Sequence, residues 1–334
     1  MQLEHLAQYI SIPLPDAWER CGQEAMDRYC PDWLDHIDFD RILDYYEFPK
    51  EFYPARLHEE LELLRQDENL SRICWLMHYV LFYGNDEDRS DVWRWGKGTP
   101  KPFAEHGSPT TCVVAQLAGQ PIHARNMAQR GYDEEQIQIH KRGVRACWMG
   151  QRNTFGIDGM GFGLMVWGTY FMHGNLVRLG RLQYQFDGKE IKKYSHLFDG
   201  NVGYIKLHIP RSDNGLRDDE VEQSIQMAAE KLDRYFPELA GKKKVFCVHT
   251  WLLSPQLREM LKPDSNIIKF QNRFTITDPY EGTASFLNNA FNISAAPGTV
   301  DYNTLPEDTS LRREIKRRLL RGEPLQNAWG YFTL

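Results

Sequence analysis

Two histidines are the residues best placed for chemistry in this sequence. His208 stands two residues before Pro210 in the run Tyr204–Ile209, and His249 stands four before Leu253 in the run Val245–Leu253. An imidazole changes charge near neutral pH, so either ring could take a proton from a reacting group, directly or through one water. Both runs have strand character. The first sets Ile205, Leu207 and Ile209 on one face, and the second is almost continuously apolar, as suits a strand covered on both faces. Between them, Asp219–Phe236 places Val221, Ile225, Ala228, Leu232 and Tyr235 on one helical stripe, stopped by Pro237 and turned at Gly241. A β-α-β order predicts that the two strands run parallel as neighbours. Ligands of open α/β sheets collect beyond the carboxyl ends of such strands, where both histidines fall. The plainer alternative is a pair of core histidines satisfied by local hydrogen bonds.

Other catalytic signatures are missing. There is no G-x-S-x-G, no G-x-x-x-x-G-K-[ST] and no H-E-x-x-H; His58-Glu59-Glu60 starts like the last but lacks the second histidine. Gly159, Gly161, Gly163 and Gly168 fit no dinucleotide fingerprint and read instead as small residues of a helix where another backbone approaches. The six cysteines include no Cys-x-x-Cys pair, so neither a zinc ribbon nor a disulfide framework is expected, and no metal site is. The late basic run Arg312, Arg313, Lys316, Arg317, Arg318 and Arg321 could hold an anion, but Thr309 and Ser310 cap it as an amphipathic helix. Trp93, Trp95 and Lys97 could form a stacking surface, although loop packing is the simpler reading.

The elements that must carry these residues follow from the wider pattern. Of 334 residues, 42% are hydrophobic and 13% aromatic, a composition that can bury a core and suits two domains. Residues 1–91 hold 21 Asp and Glu against 8 Lys and Arg, whereas the remainder is mildly basic. With a total of −6, nucleic acid is not an expected partner. The longest apolar stretches, Cys74–Tyr83 and Phe162–Met172, are half a membrane span and read as core helices. The amino terminus carries Glu4 and no Lys or Arg, followed by Pro13 and Pro15, so an export signal is not expected and a cytoplasmic location is. Residues 1–83 have helical periodicity almost throughout, and it resumes over Thr110–Arg130 and Asp133–Met149. The pattern changes near Val177. Val177–Phe186 reads as a strand with an irregularity at Gly180, Pro255–Leu261 as a short helix and Ile267–Ile276 as a strand.

Several stretches of the carboxyl-terminal half are familiar. LVRLGRLQYQF (176–186), IKLHIP (205–210), VEQSIQMAAEKLDRYFP (221–237), VHTWLLSPQL (248–257), SNIIKFQNRF (265–274) and LPEDTSLRR (305–313) resemble a bacterial family of acyltransferase-domain proteins, in which a helical domain precedes a GNAT-like domain. The resemblance implies an α+β fold: a helical amino-terminal domain over 1–125, a GNAT-like mixed-sheet acyltransferase domain over 126–300, and a carboxyl-terminal helix and tail over 301–334. It implies that two parallel strands splay apart around acetyl-CoA or another acyl-CoA. The acyl group would pass to a small-molecule or peptide amine by direct attack, without a membrane or a covalent enzyme intermediate. In this scheme His249 and His208 are the candidate bases, and Arg211, Asn214, Gly215 and Trp251 the cofactor-binding positions. The stretch Arg211–Leu216 departs from the usual [QR]-x-x-G-x-[GA] loop in having one glycine, and Asp218, Asp219 and Glu220 follow it. The alternative is therefore a non-catalytic GNAT-fold module that binds a ligand or partner through a degenerate CoA loop.

Overall fold

A computed structural model describes residues 2–49, 54–85, 87–89, 91, 111–155, 162–186, 189, 191–210, 215–293 and 295–334. The chain divides into two compact units, Met1–Val177 and Arg178–Leu334. That division coincides with the change from helical to alternating apolar period.

The amino-terminal unit is helical. Its described helices are α1 (Gln2–Tyr9), α2 (Asp16–Asp27), α3 (Phe39–Tyr45), α4 (Pro54–Gln66), α5 (Glu68–Phe82), α6 (Thr111–Leu117), α7 (Gln120–Gln129), α8 (Glu134–Phe155) and α9 (Phe162–Met172). Helix α5 is buried on nearly every side, with Leu70, Ile73, Cys74, Leu76, Met77, Val80 and Leu81 in the core. A helix apolar all round must be surrounded, and α2, α4 and α6 surround it. Asp67 caps α5 by accepting from the Leu70 N–H at 3.1 Å, and its second oxygen accepts from the Tyr9 hydroxyl at 2.6 Å. The helical run expected over 110–130 is broken at Gly119, where a Cβ would fall 2.0 Å from Phe82 Cζ. At Gly168 the close neighbour is a side chain rather than a backbone, Gln116 Nε2 lying 2.5 Å from where a Cβ would sit, and Gly159 and Gly161 lie outside the described residues. Among the described residues no helix is long and apolar enough to cross a membrane.

The carboxyl-terminal unit is built on a six-stranded mixed sheet, so the chain as a whole is α+β. In chain order its elements are β1 (Leu176–Leu179), β2 (Leu182–Gln185), α10 (Lys192–Ser195), β3 (Val202–His208), α11 (Asp218–Tyr235), β4 (Lys243–Thr250), α12 (Leu257–Met260), α13 (Asn266–Gln271), β5 (Thr275–Glu281), α14 (Thr283–Phe291), α15 (Ser310–Leu320) and β6 (Gln326–Thr333). The strand order is β1-β2-β3-β4-β6-β5. β3 and β4 are parallel, as the β-α-β order requires, while β2–β3, β4–β6 and β6–β5 are antiparallel.

Three local expectations are corrected. The single strand over Val177–Phe186 is two strands, because Gly180 at φ 66 turns the chain in the left-handed region. Ser224 on α11 holds that turn: its hydroxyl donates to the Leu179 carbonyl and accepts from the Leu182 N–H at 3.1 Å. The strand expected over Ile267–Ile276 is helix α13 followed by the start of β5. Ser265 caps the helix through the Ile268 N–H, and Gln271 Nε2 donates to the carbonyls of Leu252 and Ser254, both at 2.9 Å, so tertiary bonds outweigh the β-branched run. Finally, the segment read as helix and tail ends in β6, which lies inside the sheet between β4 and β5.

Candidate active site

The β3–β4 ladder pairs Val202 with Lys243 and continues to Lys206–Cys247, where it stops. β3 nevertheless runs on to His208 and β4 to Thr250. The two expected histidines therefore occupy matching positions just past the last pair, at the carboxyl end of the only parallel pair among the strands whose pairing is described. Alternation puts them on one face of the sheet, with Lys206 and Cys247 one row behind. Antiparallel pairing extends both rows. Gln183 is opposite His208, Trp329 opposite His249 and Thr277 opposite Trp329; in the row behind, Gln185 is opposite Lys206 and Tyr331 opposite Cys247.

Direct contacts orient both rings. His208 Nε2 is 2.9 Å from Gln185 Oε1, so this nitrogen carries the proton and donates it to the amide oxygen. His249 lies against Trp329 with ring centroids 4.6 Å apart, and its Nδ1 is 3.2 Å from the Tyr280 hydroxyl. Helix α10 covers the neighbouring part of this face through the buried Tyr194, whose ring meets Tyr331 at 5.1 Å and Trp329 at 6.2 Å.

The electrostatics favour neutral imidazoles. Burial pushes the His208 pKa down to about 3, with further depression from the Lys206 ammonium and from His249. His249 is lowered too, first by desolvation and then by Lys206, although part of its ring remains open to solvent. A neutral imidazole has a lone pair with which to accept a proton. Burial holds the Cys247 thiol up at about 12, so it stays protonated near neutral pH. No group of three or more His, Cys, Asp and Glu able to hold a metal occurs among the described residues.

Arg211 and Asn214 lie outside the described residues, as do Trp93, Trp95 and Lys97. Gly215 adopts φ 67, a conformation suited to glycine. Both flanks of the segment 211–214 are held by one side chain. Arg181, from the β1–β2 turn, donates through Nη1 to the Pro210 carbonyl at 2.7 Å and through Nε to the Gly215 carbonyl at 2.8 Å. The acidic first turn of α11 is compensated: Arg273 meets Asp218 at 2.6 Å and Glu222 at 2.5 Å, and Arg217 meets Asp219 at 2.7 Å. The three carboxylates therefore oppose an anion at this helix end less than their charge suggests.

Trp251 stands in a single 3-10 turn after β4, half-buried, with its ring edge-on to Phe286 at 5.1 Å. The basic helix α15 buries Ile315 and Leu319 and engages its cations in ion pairs. Arg312 pairs with Asp308, Lys316 with Glu307, Arg317 with Glu314, Arg318 with Glu259 and Arg321 with Glu323. It is an ion-paired amphipathic helix, the simpler of its two readings. A cavity of about 190 Å³ lined by Phe186, Lys189, Val202, Tyr204 and Lys242 opens at the amino ends of β3 and β4, the end opposite the histidines.

Residues 176–332 match the family described as the GNAT-like C-terminal domain. This stretch is a GNAT-like domain. The rows built around His208 and His249 all lie within it, as does the Arg181 clasp. The chain also resembles solved acyltransferases over its full length. One, in complex with CoA and 10C-teicoplanin, has a TM-score of 0.72 at 23% identity and covers 100% of both chains. An acyltransferase mutant in complex with octanoyl-CoA has a TM-score of 0.71 at 23% identity, again covering 100% of both chains. An acyltransferase in complex with decanoyl-CoA has a TM-score of 0.70 at 21% identity and covers 99% of each. At these identities the likeness is one of fold, shared by the GNAT-like domain and the helical unit. No curated protein matched the sequence.

Of the residues in the site, Gln185, Lys206, Arg181, Tyr280 and Trp329 were missed by sequence reasoning. Lys206 was the most accessible of these, since alternation alone puts it on the face of His208. Gln185 and Trp329 needed the pairing partners of β3 and β4, which no local pattern supplies.

Proposed function

We propose that the chain is an acyl-CoA-dependent N-acyltransferase that passes an acyl group to a small-molecule or peptide amine, with His249 as general base. The observation that carries this reading is the end of the β3–β4 ladder at Lys206–Cys247, with two imidazoles immediately beyond it whose surroundings hold their pKa values down. Strand edges that leave a ladder keep backbone donors and acceptors with which an extended ligand can pair. The thioester lies in that opening, its diphosphate at the segment 211–215 and its acyl end toward the histidines. Arg211, Asn214 and Gly215 serve as the diphosphate contacts, and the half-buried Trp251 borders the other strand. The solved acyltransferases of the same fold, bound to octanoyl-CoA, decanoyl-CoA or CoA, support a medium-chain acyl-CoA as donor. Those bound to teicoplanin or 10C-teicoplanin support a bulky acceptor.

In the reaction the amine nitrogen attacks the thioester carbonyl as one of its protons passes to the lone pair of His249. The C–N bond forms, the C–S bond breaks and the CoA thiolate leaves, taking up a proton. No enzyme nucleophile is required, in keeping with the buried, protonated Cys247. Its ring half open and its pKa lowered, His249 suits this role better than His208, which is tied to Gln185.

The test is a thermal-shift titration with CoA, acetyl-CoA, octanoyl-CoA and decanoyl-CoA, followed by mass spectrometry of amines incubated with the donor that binds. A donor present at 100 times its Kd stabilises by about 2.7 kcal/mol. Binding with transfer supports the proposal. Binding without transfer to any amine replaces it with a ligand-binding module, and no shift with any thioester removes the CoA assignment.

A further inference from the structure

β5 is not a regular strand. It pairs Thr277 with Trp329 and Tyr280 with Asn327, so three steps along β5 match two along β6. The extra residue falls at Asp278–Pro279, where Asp278 adopts φ 43 and Pro279 has no N–H to lose from the ladder. In an unbroken strand, position 280 would point to the face opposite Thr277. The bulge reverses that phase and brings Tyr280 to the face shared by Thr277, Trp329 and His249. Its hydroxyl consequently sits 3.2 Å from His249 Nδ1.

Two residues of α10 fasten the bulge. Lys193 Nζ pairs with the Asp278 carboxylate at 3.0 Å and stands 5.4 Å from the centroid of Trp329, the ring on which His249 lies. The Tyr194 hydroxyl is 3.4 Å from Thr277 Oγ1, on the residue before the bulge. The left-handed Asp278 is thus held by an ion pair, and the same contacts brace the ring that backs His249. Bulges beside active sites characteristically re-aim one side chain, and here the side chain re-aimed is Tyr280.

We infer that Tyr280 is the positioning residue for His249. Its oxygen accepts from Nδ1–H and so holds the imidazole as the tautomer whose lone pair is on Nε2. The hydrogen bond made by one ring nitrogen decides which nitrogen keeps the lone pair. The purpose of this arrangement rests on the acyl-transfer reading: Nε2 takes the amine proton while Nδ1–H stays on Tyr280, which steadies the resulting imidazolium. The geometry of the pair does not depend on that reading.

The experiment separates the two. Nitrogen-15 NMR of histidine-labelled protein, assigned with His249→Asn, reports the His249 tautomer in the wild type and in Tyr280→Phe, which keeps the ring and removes the oxygen. The wild type is expected to show Nδ1–H, and the variant a mixture or the Nε2–H form, at an unchanged melting temperature. Acylation kinetics on the same two proteins should show kcat falling about tenfold in the variant with KM for the thioester unchanged. A wild-type ring protonated on Nε2, or a tautomer unaffected by Tyr280→Phe, overturns the positioning role whatever the activity. If the wild type fails to acylate any amine while the tautomer responds as expected, the acyl-transfer reading fails and the positioning role stands.

Discussion

His208 and His249 keep the register that relates every pair of the β3–β4 ladder, yet stand two places beyond its last pair, Lys206–Cys247. They are close enough for the charge of one to disfavour that of the other, and Lys206 disfavours both. The two imidazoles thus stand side by side just past the last paired residues of a parallel pair, each held toward its neutral form. Their surroundings nevertheless differ, and the difference makes their roles separable by mutation.

His249→Ala should lower acyl transfer at least tenfold and leave the melting temperature nearly unchanged, since the ring is partly solvent-exposed and exposed substitutions typically act within about 0.5 kcal/mol. Steady-state kinetics beside calorimetry would check it. Full activity in the variant would remove His249 from the mechanism.

His208→Ala should behave in the opposite way. The change leaves Gln185 Oε1 without its imidazole donor in a residue only 3% exposed, which costs about 1–3 kcal/mol. Urea unfolding should show a lower midpoint at an unchanged slope. A midpoint equal to wild type would mean that Gln185 finds another donor.

Arg181→Met should loosen the hold on the segment 211–214 by removing both clasps, on the Pro210 and Gly215 carbonyls. Charge-assisted bonds of this kind contribute about 1.5–3 kcal/mol each, so the Kd for acyl-CoA should rise roughly tenfold or more. Isothermal titration would measure it. An unchanged Kd would show that the diphosphate does not use this loop.

Acid should destabilise the helical unit. His78 and His140 are buried there as neutral rings, bonded to the carbonyls of Ala115 and Phe171, and burial holds each pKa down at about 4. In the unfolded chain they titrate near 6.5. The folded values are the lower ones, so the unfolded state binds more protons as pH falls below about 6.5. Stability is therefore lost from there down to about pH 4, by at most about 1.4 kcal/mol per pH unit for each ring. Unfolding midpoints at pH 7, 6 and 5 should fall accordingly, and His78→Gln should flatten the slope. A pH-independent midpoint over that range would contradict the assignment.

How much of this was readable in advance depends on how far apart the deciding residues lie. The parallel pairing of β3 and β4, the helix between them and the placement of both histidines near the strand ends follow from periodicities a few residues long, which a linear chain displays directly. Whether Ile267–Gln271 is helix or strand turned on Ser265 at one end and on Gln271 reaching back to Leu252 and Ser254, contacts that only the folded chain assembles. The carboxylates at the start of α11 are adjacent in sequence, but the Arg273 that offsets Asp218 and Glu222 reaches them only through the fold. The surroundings of His249 were the least visible: Trp329 arrives on the last strand of the chain, and Tyr280 faces the site because one extra residue at Asp278–Pro279 shifts the pleat. Local pattern thus specified the histidines and the strands that bear them. Tertiary structure alone chose their neighbours, because pairing register and bulge position are set by burial and hydrogen bonding summed over strands distant in sequence.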